Sequence, residues 1–328
     1  MSSTLGLAYL TTPLFPTGIR CSGLESHHYF LRSSARFSSS QEPPATAEST
    51  SESDATPPSE SLPETKVQRF DRNIRPPQWD FRDKINNSNK QPFVSRLVEK
   101  LNAMVPLEMK GRIHAEHPYA PEIAAYTFPQ HIFVPPTPEM LSKPPPHSME
   151  KTPFTYIDTP SQLANLIEKL KSVELIAIDT EAHSFRSYQG FVCLLQLSTP
   201  TEDFIVDTLA LRHELRDLNV VFTDPKILKA RGFIFHSATS DLPWMQRDFS
   251  LYCVGIFDTY DACRALNLPQ KSFAALAKQF CDFEPDKKWQ LADWRMRPLL
   301  PEMMDYARAD THYLIMIYHQ LRSLLLSS

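Results

Sequence analysis

The chain has 328 residues, a formal net charge of −4, 29 prolines and only 7 glycines. That balance excludes a uniformly basic nucleic-acid coat, but not an enzyme that grips nucleic acid in one local groove. Five scattered cysteines (Cys21, Cys193, Cys253, Cys263 and Cys281) contain no CxxC pair, which argues against a disulfide framework or structural zinc and for a reducing compartment; no apolar run reaches the length of a membrane span.

Residues 1–66 are low-complexity and rich in Ser, Thr, Pro and Glu, so they read as a disordered tail. The first forty residues hold Arg20, Arg32 and Arg36 against one acid, Glu25. That composition resembles a mitochondrial presequence, with a plain Ser/Thr-rich tail as the alternative. Residues 67–152 place Trp79, Phe81, Phe93, Leu97, Phe128 and Phe133 among prolines. The stretch reads as an extended proline-rich arm packed on a folded domain, with one short helix near Val94–Ala103.

From residue 153 to 328 the pattern is regular enough for a domain with its own core. SQLANLIEKLKS has apolar residues at helical spacing behind a cap at Thr159 or Ser161. LIAID (175–179), FVCLLQLST (191–199) and DFIVDT (203–208) read as strands. Residues 209–222 read as helix and FIFH (233–236) as a buried strand. A helix over Ser240–Phe249 leads to the strand CVGIFDT (253–259), and helices follow near Tyr260–Leu266, Ser272–Phe280 and Pro301–Leu326. A hairpin-like trio of strands followed by alternating strands and helices gives an α/β fold with a mixed central sheet.

Asp179 and Glu181 stand at i and i+2 at a strand end, so both point to one face. Adjacent carboxylates repel unless protonated or bridged, and a divalent cation with hard oxygen ligands is the cheapest bridge. An exposed acidic strand end is the competing explanation. Asp241 falls in the first turn of a helix, where it acts as a ligand or complements the helix dipole. Tyr306 and Asp310, at i and i+4, share one face of the last helix, flanked by Ala307 and Ala309 and by polar Arg308, Thr311 and His312; a solvated face is the alternative. Together these groups suit a pair of divalent ions about 3.5–4 Å apart, one activating water and one stabilising a leaving 3′-oxygen. A phenol is a poor base at its ordinary pKa of about 10. Tyr306 therefore positions water more easily than it deprotonates it, unless nearby metals lower that pKa.

DxE on a strand, an Asp after HSATS and YxxxD on a late helix resemble the tyrosine-containing branch of the DEDD exonuclease superfamily, which includes ribonuclease D. The longer strings DTEAHSFRSYQGFVCLLQLST, DFIVDTLALR, WMQRDFSLYCVGIFDTYDA and WQLADWRMRPLLPEMMDYARADTHYL resemble the exonuclease subunit of the eukaryotic nuclear exosome, the exosome component 10 family. RPPQWDFRDKINNSNKQPF and AEHPYAPEI resemble the segment preceding that family's exonuclease domain.

The resemblance implies a ribonuclease H-like exonuclease fold and two divalent metal ions, Mg²⁺ or Mn²⁺, held by Asp179, Glu181, Asp241 and Asp310, with Tyr306 positioning water. It implies hydrolytic 3′→5′ removal of nucleoside 5′-monophosphates from single-stranded RNA, in RNA processing and decay with the exosome core, and a nuclear or nucleolar location. His236, Trp244, Lys288 and Gln290 match positions around the substrate. Read from the residues alone, Lys288 also suits a phosphate contact and Trp244 equally suits a core position.

The chain departs from the pattern in three ways. It has HSA at His236–Ala238 where the family has HGA, so a serine would crowd a close backbone approach. KILKARGFIFHSA is a few residues longer than the family pattern. The chain stops without the family's helical HRDC domain and basic tail, and residues 1–66 do not resemble the family's N-terminal cofactor-binding domain. These departures keep open a catalytically weak RNA- or partner-binding paralogue. A 3′→5′ DNA exonuclease also stays open, since nothing in the sequence reads a 2′-hydroxyl by itself.

Overall fold

The computed structural model describes residues 70–83, 95–107, 117–142, 148–185, 187, 189–224 and 232–328. Six strands form one sheet: β1 (Phe154–Ile157), β2 (Leu175–His183), β3 (Phe191–Ser198), β4 (Asp203–Asp207), β5 (Gly232–Phe235) and β6 (Ile256–Asp258), in the order β1-β4-β3-β2-β5-β6. β3 runs antiparallel to β2 and β4, and the other pairings are parallel. This is the mixed sheet expected from the sequence. The helices are α1 (Ala120–Ala125), α2 (Pro160–Leu170), α3 (Asn219–Phe222), α4 (Asp241–Phe249), α5 (Thr259–Ala265), α6 (Phe273–Cys281) and α7 (Pro301–Ser327). None of them is long and apolar enough to cross a membrane.

Strand alternation sorts the core into two layers. Ile176 and Ile178 of β2 pack with Leu163 and Ile167 of α2 and Met245 and Phe249 of α4. Leu175 and Ala177 face the other way, towards α5, α6 and Leu314 and Ile317 of α7. Continuing the alternation, Asp179 and Glu181 fall on the α7 side and Thr180 on the α4 side. α2 starts where its cap dictates: Thr159 accepts the Gln162 N–H, Gln162 reaches back to the Thr159 N–H at 3.0 Å, and Pro160 opens the first turn.

Several local expectations are corrected. The described residues 95–103 form bends and turns instead of a helix. There Leu97 is buried in the core, Ser95 bonds the Tyr252 hydroxyl at 2.5 Å, and Lys100 pairs with buried Glu122 at 2.7 Å. Tertiary contacts thus override the helical spacing. Over 209–222 only a 3₁₀ turn (Leu215–Leu218) and α3 form, because Asp207 Oδ1 accepts the N–H groups of Leu209 and Ala210 and bends the chain first. Strand β6 is short because Gly255, at φ 77°, breaks the extended run before it. β2 continues past Asp179 to His183, with a bulge at Glu181/Ala182. The edge strand β1 and helix α1 carry no pattern strong enough to predict. Residues 1–69 and 225–231, which hold the tail and most of the apparent insertion, lie outside the described residues.

Candidate active site

Three carboxylates converge at the C-terminal half of the central strand β2. Asp179 and Glu181 come from β2 and Asp310 from α7, and one oxygen of each lies within 4.8 Å of the others. All three are only partly exposed. Burial raises their pKa values, and mutual repulsion adds to the effect for Asp179 and Glu181. Asp179 and Glu181 are pushed well above the usual carboxylate range, and Asp310 up to about 7.

Asp241 arrives from the opposite layer. It is the first residue of α4 and is buried, and its Oδ1 accepts a hydrogen bond from Thr180 Oγ1, the side chain between Asp179 and Glu181. It lies outside the 4.8 Å trio, yet its charge raises the pKa of both Asp179 and Glu181. Its own pKa is raised to about 6, chiefly by burial. Thr180, which sequence reasoning passed over, is thus the link between layers; its place inside DTE was the available signal.

Tyr306 is hydrogen-bonded to Asp310, as the i,i+4 spacing requires, and its ring lies 6.1 Å from that of Trp294. Burial, then the charges of Asp310, Glu181 and Asp179, push the phenol pKa up. Without a cation beside it, this phenol stays protonated.

Whether the residues suit a cation is decided by their partners. Buried Asp203, Asp207, Asp248 and Asp293 each hold an arginine within 3.2 Å. Among the described residues, Asp179, Glu181, Asp241 and Asp310 have no such basic partner. Gln196, paired with Asp179 across β2–β3, is fully buried with both amide atoms lacking a partner among the described residues. Carboxylates drawn together without a protein cation form a hard-oxygen donor set, which fits a divalent metal.

The remaining predicted residues come from elements other than β2 and α7. His236 Nδ1 is 2.9 Å from Thr259 Oγ1, its ring stands edge-on to Tyr260 and Phe273, and burial lowers its pKa to about 4. Trp244 is half-buried against the core beneath α4. Lys288 and Gln290 are exposed on a 3₁₀ turn, and Lys288 pairs with Asp286 at 2.7 Å.

The family profile described as 3′-5′ exonuclease matches residues 154–326. The chain is 43% identical over 266 residues to the exosome complex exonuclease RRP6 of Saccharomyces cerevisiae, covering 78% of this chain and 35% of that protein. It is 41% identical over 288 residues to exosome complex component 10 of Homo sapiens, covering 76% of this chain and 31% of that protein. The chain therefore spans about a third of the length of these curated relatives. The crystal structure of the catalytic core of RRP6 from Trypanosoma brucei superposes with a TM-score of 0.66 at 35% identity, over 77% of this chain and 66% of that one.

Proposed function

Since the chain belongs to the 3′-5′ exonuclease family, we propose that it is a metal-dependent 3′→5′ exoribonuclease that releases nucleoside 5′-monophosphates by hydrolysis. The observation that carries this reading is the set of buried and half-buried carboxylates without arginine partners among the described residues, gathered from β2, α4 and α7. The choice of RNA over DNA is supported by the relatives, one named an exosome complex exonuclease and the other an exosome complex component. The same likeness supports action alongside an exosome core, in nuclear RNA trimming and decay.

In this reading Asp179, Glu181 and Asp310 would hold Mg²⁺ or Mn²⁺, and Asp241 would complete the donor set for a second ion. A bound divalent cation lowers the pKa of water and offsets charge at a phosphate. Tyr306, anchored on Asp310, orients the attacking water through its hydroxyl; its raised pKa makes it a donor and not a base. Trp244 offers a face on which a terminal base stacks, and Lys288 offers a phosphate contact. His236, neutral at pH 7, and Gln290 supply hydrogen bonds to the sugar and backbone.

The test uses purified chain on 3′-hydroxyl single-stranded RNA and a matched DNA. With Mg²⁺ or Mn²⁺ the expected result is stepwise shortening from the 3′ end with 5′-monophosphate products, abolished by chelator. Asp310→Asn or Asp241→Asn should slow it at least about 100-fold, the scale of losing one charge-stabilising group. Full activity in excess chelator, or variants as fast as the parent, would refute the reading. Faster shortening of DNA would establish the DNA exonuclease instead.

A further inference from the structure

Helix α7 brings Tyr306 and Asp310 to β2, and its apolar packing is joined there by directional bonds. Contacts such as those of Ala307 and Leu314 are non-directional. A slip of one helical turn is about 5.4 Å. That exceeds the 4.8 Å spanning the carboxylate trio, so the register of α7 decides whether the trio forms, and directional bonds specify it further.

Such bonds lie on the side of α7 above β3 and β4. Arg308 Nε donates to Asp203 Oδ2 at 2.6 Å, and Arg308 Nη2 donates to the Thr152 carbonyl at 2.6 Å. His312 Nδ1 lies 3.0 Å from Asp203 Oδ2. Ser198 Oγ of β3 donates to Thr311 Oγ1 at 2.8 Å. Asp203 is 1% exposed, and its own N–H is tied to the Pro153 carbonyl at 2.9 Å. Its two side-chain partners on α7 sit two residues before and two residues after Asp310. Two of the other arginine-bound acids, Asp207 and Asp293, pair with the loop that precedes α7, at Arg297 and Arg295.

We propose that Asp203 is a positioning residue: gripping Arg308 and His312, it sets the register of α7 and so places Asp310 and Tyr306 against Asp179 and Glu181. The inference rests on the trio being the cation-binding catalytic centre.

The experiment compares the full chain with Asp203→Asn, which keeps the shape and removes the charge. Mn²⁺ binding is read by calorimetry, kcat and KM on RNA separately, and folding by circular dichroism and thermal melting. Partners hydrogen-bonded directly to metal ligands are worth about 10–100-fold in metal affinity, and Asp203, which acts one step further out through Arg308 and His312, belongs at the lower end of that range. At least about tenfold weaker Mn²⁺ binding is therefore expected for the folded variant, with lower kcat and unchanged KM. Arg308→Lys, which keeps the positive charge but loses the fork, repeats the comparison if Asp203→Asn does not fold. A folded variant of either kind with parental Mn²⁺ affinity and kcat, and only a lowered melting temperature, overturns the proposal. If the parent binds Mn²⁺ yet degrades no nucleic acid, the function above fails, while weaker binding in the variants still supports the positioning role. A parent that binds no Mn²⁺ sinks both.

Discussion

Ser237 sits in the left-handed backbone region at φ 62°, directly after His236. The expected crowding at this serine takes the form of backbone strain. What holds the conformation is Asp258, which accepts the Ser237 N–H and the Ala238 N–H, each at 2.9 Å. A non-glycine residue there costs about 1–2 kcal/mol, while glycine loses about 0.5–1 kcal/mol more chain entropy on folding. Ser237→Gly should therefore stabilise the fold by about 0.5–1 kcal/mol, measured by urea denaturation; a destabilised variant would contradict the strain argument. The same turn launches the chain towards Asp241, so the serine's strain is borne within a few residues of the site.

At the scale of elements, the site depends on how segments remote in sequence are tied to one another. The loop before α7 carries Asp293, whose side chain is fully buried. Arg295 donates to it at 2.8 and 2.6 Å, the Asp71 N–H donates to it at 2.8 Å, and His183 Nδ1 lies 3.4 Å away. Arg295 in turn reaches the Asp71 carbonyl at 3.1 Å and lies over the Phe70 ring. One acid thus joins residues 70–71 to the end of β2, two residues beyond Glu181. Removing one partner of a buried pair leaves the other charge uncompensated, at about 3–5 kcal/mol. Asp293→Ala should destabilise the fold by about that much and raise amide exchange at Asp71. A loss below about 1 kcal/mol, typical of an exposed pair, would show that this network does not hold the segment.

At the scale of the whole molecule, the carboxylate cluster makes stability depend on pH and metal together. Asp241 and Asp310 titrate near 6 and 7 in the fold, with burial as the main cause, and Asp179 and Glu181 are raised too. Unfolded carboxyls titrate near about 4. The fold therefore binds these protons more tightly than the unfolded chain. Their contribution is complete below about pH 4 and is lost as pH rises through about 7. Asp207 works the other way: burial alone would raise its pKa, but Arg297 lowers it, so its contribution is lost only in acid. Melting temperatures in chelator should fall between pH 5 and 8. Mn²⁺ should raise them most at pH 8, and Asp310→Asn should flatten the slope. A metal-free melting temperature that climbs steadily to pH 8 would contradict this electrostatic account.

Short-range patterns carried much of this outcome. Period-two alternation placed Asp179 and Glu181 on one face, i,i+4 spacing joined Tyr306 to Asp310, and a cap at Thr159 or Ser161 marked the start of α2, all because these relations act over a few residues. The strand trio and the late helices followed from the same local rules. What the chain order left open was settled by contacts between distant segments. Residues 95–103 gave up a helix for buried pairs with Tyr252 and Glu122, and residues 209–214 bent around Asp207. Whether Asp241 approached the other acids depended on Thr180, which points to the α4 side of β2 and donates to it there. Local stereochemistry is written in neighbouring residues, but which buried acid receives an arginine and which is left to a cation is decided only when the layers close.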